Sequence, residues 1–169
     1  MAAPQRACGL PPVVGPGCRA LVLGSFPSVL SRETDFYYGN PRNRFWRVLS
    51  ACLGEPVPAD DDLAEKRALL LRHGIALWDV VASCVVEGSA DSSIREVVPV
   101  DLSLVTSVAP VGRVLCNGGA AGRLYRRWLE PSCGLAARVL PSTSPANVAW
   151  SLERLVGEWG PVLREAGVR

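Results

Sequence analysis

The sequence predicts an α/β domain with three layers, α/β/α, built around a four-stranded parallel sheet. Two observations predict it. Four short apolar runs that read as buried strands alternate with longer segments of helical period. Two of those runs, Ala20 to Leu23 and Ala137 to Leu140, pass directly into loops of small residues and prolines. The first loop is Gly24-Ser25-Phe26-Pro27-Ser28, and the second is Leu140-Pro141-Ser142-Thr143-Ser144-Pro145-Ala146-Asn147. Open α/β sheets hold their ligand crevice at the carboxyl ends of parallel strands. The loops therefore read as opposite lips of one cleft, suited to close backbone approach to a polar ligand such as a phosphodiester.

The elements follow in order. Strand one is Arg19 to Ser25. After a loop rich in Tyr, Gly, Asn and Pro, a helix near Asn43 to Leu53 puts Phe45, Leu49, Cys52 and Leu53 on one face. Asp60, Asp61 and Asp62 open a second helix that ends at His73 beside Gly74, with acids first and bases last as the macrodipole prefers. His73, the only histidine, is placed to cap that helix rather than to catalyse. Strand two is Ile75 to Val81, and Asp101 can cap a short helix through Val108. Strand three, Arg113 to Cys116, ends in Asn117-Gly118-Gly119. The next helix turns Ala121, Leu124, Tyr125, Trp128 and Leu129 inward and Arg123, Arg126 and Arg127 outward. Strand four is Ala137 to Leu140. A final helix is expected near Pro145 to Glu165, with Ser144 as its cap and Pro145 in its first turn.

A chain of 169 residues, 49% apolar, suits one compact domain. Residues 19–169 form it, and residues 1–18 are a Pro/Gly-rich arm packed on it or leading into it. No run approaches the ~20 apolar residues of a membrane span, and the arm lacks the apolar core of a signal peptide. The expectation is a soluble, monomeric, cytoplasmic protein without a membrane partner. The net charge of +2 says little, but 17 of the 18 basic residues are arginines, Lys66 being the exception. Arginine favours bidentate phosphate contact; it is equally what GC-rich coding produces. The six cysteines form no C-x-x-C pair and match no zinc or iron–sulfur spacing, so no metal, cluster or other cofactor is expected. Cys52, Cys84 and Cys116 lie in apolar contexts as reduced core thiols.

Chemistry concentrates in Phe36-Tyr37-Tyr38-Gly39-Asn40-Pro41-Arg42-Asn43-Arg44-Phe45-Trp46. Aromatics can stack on a base, amides can hydrogen-bond a base edge or hold a water, and arginines can clamp phosphates. The competing reading is structural: the aromatics cover the sheet and Asn43 caps its helix.

Taken together and in this order, Gly-Ser-Phe-Pro-Ser, Tyr-Tyr-Gly-Asn-Pro-Arg-Asn-Arg-Phe-Trp and Leu-Pro-Ser-Thr-Ser-Pro-Ala-Asn resemble the uracil-DNA glycosylase superfamily. Within it the chain is most similar to the hypoxanthine-DNA glycosylases, from about Gly9 to Val162. The resemblance implies the same parallel four-stranded fold. It also implies a monofunctional hydrolase of base excision repair, whose partner is DNA carrying a deaminated base and which associates with the nucleoid when acting. The target nucleotide must be flipped out, because its reacting atoms are inaccessible inside the stack.

Residue roles follow from that resemblance. Related glycosylases place an Asn or Asp in the first motif to position the attacking water; here Phe26 stands there and cannot. The role passes to Asn43, with Asn40 as the alternative. Asp79 occupies the place of a base-reading asparagine, beside Phe26, Tyr38 and Asn117; as a carboxylate it would accept a ring N–H, as hypoxanthine has at N1 and uracil at N3. Its competing role is a strand-end carboxylate tied to backbone amides. Ser25, Ser28, Arg42, Ser142, Thr143, Ser144 and Asn147 are the expected DNA contacts, helped by the amides of the final helix. Many relatives carry a histidine in the last motif, where this chain has Ser142, Thr143 and Ser144. Gly88 to Ser92 lies at the same sheet edge and would line the pocket. No bulky wedge stands between Ser142 and Asn147. A β-lyase needs an amine, and Lys66 lies in a charged helix away from every motif.

Other classes fit poorly. A serine hydrolase would need Gly-x-Ser-x-Gly and a later histidine, and a nucleotide-binding module would need a Gly-rich loop where Pro27 removes an amide donor. Uracil- or xanthine-preferring enzymes of the same superfamily, or a DNA-binding relative that releases no base, remain the alternatives.

Overall fold

The computed structural model describes residues 5–168. In chain order the elements are β1 (Arg6–Cys8), β2 (Ala20–Gly24), α1 (Val29–Thr34), α2 (Phe45–Leu53), α3 (Leu63–Arg72), β3 (Ile75–Asp79), β4 (Val81–Val85), a 3-10 turn (Asp91–Ser93), β5 (Arg95–Pro99), α4 (Ser103–Thr106), β6 (Arg113–Asn117), α5 (Gly119–Trp128), α6 (Glu130–Cys133), β7 (Ala137–Leu140) and α7 (Leu152–Glu165). The predicted parallel sheet is present, with strand order β3-β2-β6-β7. Leu23 lies opposite Trp78 on one side and Cys116 on the other, and Cys116 lies opposite Val139. Every residue of β2 and β3 is buried, as strands covered on both faces require.

Helix packing ties the sheet to its loops. Phe45 of α2 meets Trp159 of α7 edge to face, with ring centroids 6.1 Å apart. Burying such a ring stabilises the fold by roughly 1.5–3 kcal/mol. The Trp159 indole N–H also donates to the Pro141 carbonyl at 3.0 Å, so α7 holds the root of the second loop. Helix α5 lies so close to β7 that a Cβ on Gly122 would stand 2.6 Å from Val139.

The structure departs from expectation in five places. Strand two ends at Asp79 rather than Val81: the Val80 and Val81 amides bond the Gly24 and Ser25 carbonyls, and Val81 then pairs with Pro99. The chain thereby enters a three-stranded antiparallel sheet, β1-β4-β5, which the apolar pattern did not distinguish from connecting loop. The arm contributes β1 to that sheet, and Val13 exchanges backbone hydrogen bonds with Leu77. A short helix, α1, follows the first loop, and Ser28 caps it by accepting from the Ser31 amide at 3.2 Å.

The last two departures bear on the site. The final helix begins at Leu152, capped by Ser151, and not at Pro145. Arg44 explains why. Its guanidinium donates to the carbonyls of Ser144, Asn147 and Trp150, and so holds the intervening segment as a loop. Lys66, expected in a charged helix away from every motif, is only 2% exposed and packs on Trp46 of the second motif. Its ammonium donates to the Asp60 carbonyl at 2.7 Å and sits 5.3 Å over the Trp46 ring, and burial lowers its pKa. Among the described residues, no helix is long and apolar enough to cross a membrane.

Candidate active site

Strand order locates the site. The chain leaves β2 toward β3 on one side and leaves β6 toward β7 on the other, so the topological switch point lies between β2 and β6. At that point the carboxyl ends of the strands deliver Gly24 and Ser25, Asn117, Asp79 from β3 and the Ser142–Ser144 segment after β7. A cleft of about 320 Å³ opens there, lined by both predicted lips and by Tyr38, Asn40 and Asn43 between them. A wider depression of about 610 Å³ lies at the opposite end of the sheet, around Arg19 and Arg113, away from every motif.

One hydrogen-bonded chain crosses the cleft wall. The Thr143 hydroxyl donates to Asn43 Oδ1 at 2.8 Å and accepts from Asn117 Nδ2 at 3.0 Å. The same Asn117 amide donates to the Tyr38 hydroxyl at 3.0 Å, and Asn117 Oδ1 accepts from the Thr143 backbone at 3.0 Å. Asn43 Oδ1 also accepts from the Phe45 amide at 2.9 Å, which fixes the orientation of its side chain. Both lone pairs of that oxygen are then engaged, leaving Nδ2 as the group Asn43 can offer a ligand. The capping expectation for Asn43 is met in part, because its side chain accepts from the first amide of α2 although Arg44 is the residue at the N-cap position. Asn40 Oδ1 accepts from the Arg42 amide at 3.0 Å and keeps a second lone pair.

Asp79 forms the floor. It is 5% exposed, and its Oδ2 is buried without a hydrogen-bond partner. Burial, reinforced by the negative charge of Asp91, pushes its pKa up to about 7. Gly24 permits this placement, because a Cβ there would stand 2.3 Å from Asp79 Oδ1 and 3.2 Å from the Tyr38 hydroxyl. Tyr38 adopts a left-handed backbone, φ +53°, and stacks on Phe45 at 4.1 Å. Burial and the neighbouring Asp79 keep its phenol protonated.

The remaining predicted residues divide by position. Phe26 lines the cleft with Arg32 over its ring at 5.4 Å. The Ser25 hydroxyl donates to Asp91 Oδ1 at 2.6 Å, and Ser28 caps α1. Ser142 and Ser144 line the cleft and accept from the Ser144 and Ala146 amides, so their hydroxyl protons stay available to a phosphate. Thr143 also borders the cleft, but it is fully buried with its hydroxyl engaged on both sides. Asn147 turns its amide onto the Ser142 carbonyl at 2.9 Å. Arg42 is exposed. Arg44, read as a phosphate clamp, instead binds the protein's own carbonyls. Phe36 and Trp46 are core residues, so the covering role holds for them; Tyr37 is also buried but lines the cleft beside Tyr38. The amides of α7 lie beyond the Ser142–Ser144 segment and do not serve it.

Asp91 and Ser89 also line the cleft. Their segment, Gly88 to Ser92, was expected at this sheet edge as a pocket lining, without a role for either side chain.

No family model matches the chain. It is 38% identical over 157 residues to a hypoxanthine DNA glycosylase from Methanosarcina acetivorans, covering 92% of this chain and 97% of that protein. A hypoxanthine DNA glycosylase from Methanosarcina barkeri is 34% identical over 140 residues, covering 82% and 87%. Among solved structures, the fold is similar to a solution NMR structure from Methanosarcina acetivorans, of a protein described provisionally as a uracil DNA glycosylase. The TM-score is 0.79 at 35% identity, over 96% of this chain and 99% of that one. With a sheet whose switch point carries the amide-lined cleft, and with this identity over nearly its whole length, the chain belongs to the hypoxanthine DNA glycosylase family.

Proposed function

We propose that this chain removes hypoxanthine from deoxyinosine in DNA by hydrolysing the N-glycosidic bond, without cutting the strand. The observation that carries the base assignment is the buried, unpartnered Oδ2 of Asp79 on the cleft floor. A buried polar atom without a partner is costly, and a ligand donor can supply what the fold withholds. Hypoxanthine presents adjacent N1–H and O6 groups. An Asp79 carboxyl can accept from N1–H, and in its protonated form can also donate to O6.

Uracil offers the same pattern at N3–H and O4. The described identity of the M. acetivorans NMR structure favours that second reading, whereas the names of both sequence relatives favour hypoxanthine. Asn43 would orient the water or the sugar through Nδ2, and Ser142 and Ser144 would hold phosphates beside the lesion. The monofunctional reading is supported by Lys66, whose ammonium is buried against Asp60 and Trp46 and unable to form a Schiff base in the cleft.

The test is to incubate the protein with an oligonucleotide containing one deoxyinosine and separate the products. Free hypoxanthine and a strand that breaks only after alkali are expected. Intact inosine, or a strand broken before alkali, would refute the proposal.

A further inference from the structure

The first motif lacks the side chain expected of it, since Phe26 stands where a water-positioning acid or amide would be. The loop that packs over that motif brings a carboxylate. Three hydrogen bonds fasten residues 88–91 to the first lip and to α1, which follows it. Ser25 Oγ donates to Asp91 Oδ1 at 2.6 Å, the Val29 amide donates to Ser89 Oγ at 3.0 Å, and Arg32 donates to the Gly88 carbonyl at 3.0 Å. The Ser25–Asp91 distance is that of a charge-assisted bond. It fixes one carboxylate oxygen on the residue next to Phe26 and leaves Oδ2 for the cleft, which Asp91 lines.

Position argues for use. A carboxylate at the mouth of a DNA-binding cleft repels phosphates and weakens binding, so binding alone does not account for it. Asn43 cannot take a proton from water, because an amide is not basic at neutral pH and its carbonyl oxygen is already engaged by Phe45 and Thr143. The second acid of the cleft, Asp79, is buried on the floor with one carboxylate oxygen unpartnered. The two carboxyls thus occupy different environments, which is how paired acids take different roles.

We propose that Asp91 is the catalytic carboxylate of the cleft, held by Ser25 to face the sugar of the flipped nucleotide. This rests on the glycosylase reading above. As the C1′–N bond breaks, its electron pair leaves with the base and positive charge develops on the sugar, opposite the Asp91 carboxylate. Water oxygen bonds to C1′, one water proton passes to Asp91, and the other remains as the sugar hydroxyl. Asp91 returns its proton through solvent to the departing base nitrogen. No oxidant or metal enters the balance.

The experiment is single-turnover release of hypoxanthine by the full chain and its Asp91→Asn and Asp91→Ala variants, with DNA affinity and thermal melting measured alongside. Both variants should bind inosine DNA at least as well as the wild type and lose roughly 100- to 10,000-fold in rate, the usual contribution of a positioned acid–base group. Sodium formate, compared with chloride at equal ionic strength, should restore part of the Asp91→Ala rate, because a small carboxylate can enter the vacated space. An Asp91→Asn rate within about threefold of wild type, too small for a proton-transfer group, would overturn the proposal. So would a large loss that formate does not relieve, since that marks a loop fastener only. A wild type that releases no hypoxanthine overturns the glycosylase reading itself; an active wild type with equally active Asp91 variants overturns this inference alone.

Discussion

The hydroxyl of Thr143 donates to the Asn43 side-chain oxygen at 2.8 Å, joining two loops that are 100 residues apart in the chain. The same hydroxyl accepts from Asn117, so one buried oxygen atom couples two strand-end segments and the loop before α2. Thr143→Val keeps the shape and removes both bonds, leaving Asn43 Oδ1 with only its Phe45 bond and the Asn117 amide with only its Tyr38 bond. Stability should fall by about 1–3 kcal/mol, and hypoxanthine release should slow as Asn43 loses its orientation. Thr143→Ser should retain most of both. Chemical denaturation and single-turnover kinetics check the pair.

Asp79 imposes a pH dependence of definite sign. Its folded pKa, about 7, lies above the ordinary 3.8, so between those values the folded state holds a proton that the unfolded state has lost. Stability from this group is complete below the lower value and declines as pH rises toward the upper one. Thermal melting of the wild type should therefore fall between pH 5 and pH 8 by more than that of Asp79→Asn, the difference being on the order of a few kcal/mol. Equal slopes would remove Asp79 as the source.

Arg42 and Arg44 should part company. Arg44 holds the Ser144–Trp150 loop through three carbonyls, so Arg44→Ala should lower the melting temperature and the single-turnover rate together. Arg42 is exposed at the cleft's flank. Arg42→Ala should leave melting unchanged and reduce the slope of log affinity against log salt by about 0.9, the value for one lost phosphate contact. Salt titrations of both variants decide.

Val148 is 88% exposed, one residue past the segment in which no wedge was evident. Apolar side chains that enter a base stack are held out in this manner. Val148→Gly should slow release from duplex DNA and leave release from single strands unchanged. Equal losses on both substrates would exclude a wedge.

The parallel sheet was legible because each strand is a short apolar run bounded by Gly, Pro or polar residues, and because both faces are covered. The lips of the cleft were legible for the same reason, since they begin where those runs stop. The antiparallel β1-β4-β5 sheet was not: β5 is largely exposed and β4 continues strand two after one residue, so no periodicity separates them. Arg44 was misread because a guanidinium beside aromatics suits phosphate and carbonyl alike, and the choice depends on a loop 100 residues downstream. Asp91 could be placed at the sheet edge but not given a role, because its partner Ser25 lies 66 residues earlier.

The most direct test of the account is a comparison of single-turnover rates on matched oligonucleotides carrying deoxyinosine, deoxyuridine or deoxyadenosine, for the wild type and Asp79→Ala. The wild type should release hypoxanthine fastest and leave adenine untouched. Asp79→Ala should lose about 10- to 100-fold on inosine, the cost of a hydrogen bond to a charged group. Uracil released faster than hypoxanthine, or an Asp79→Ala variant as active as the wild type, would contradict the assignment of the cleft floor to the hypoxanthine edge.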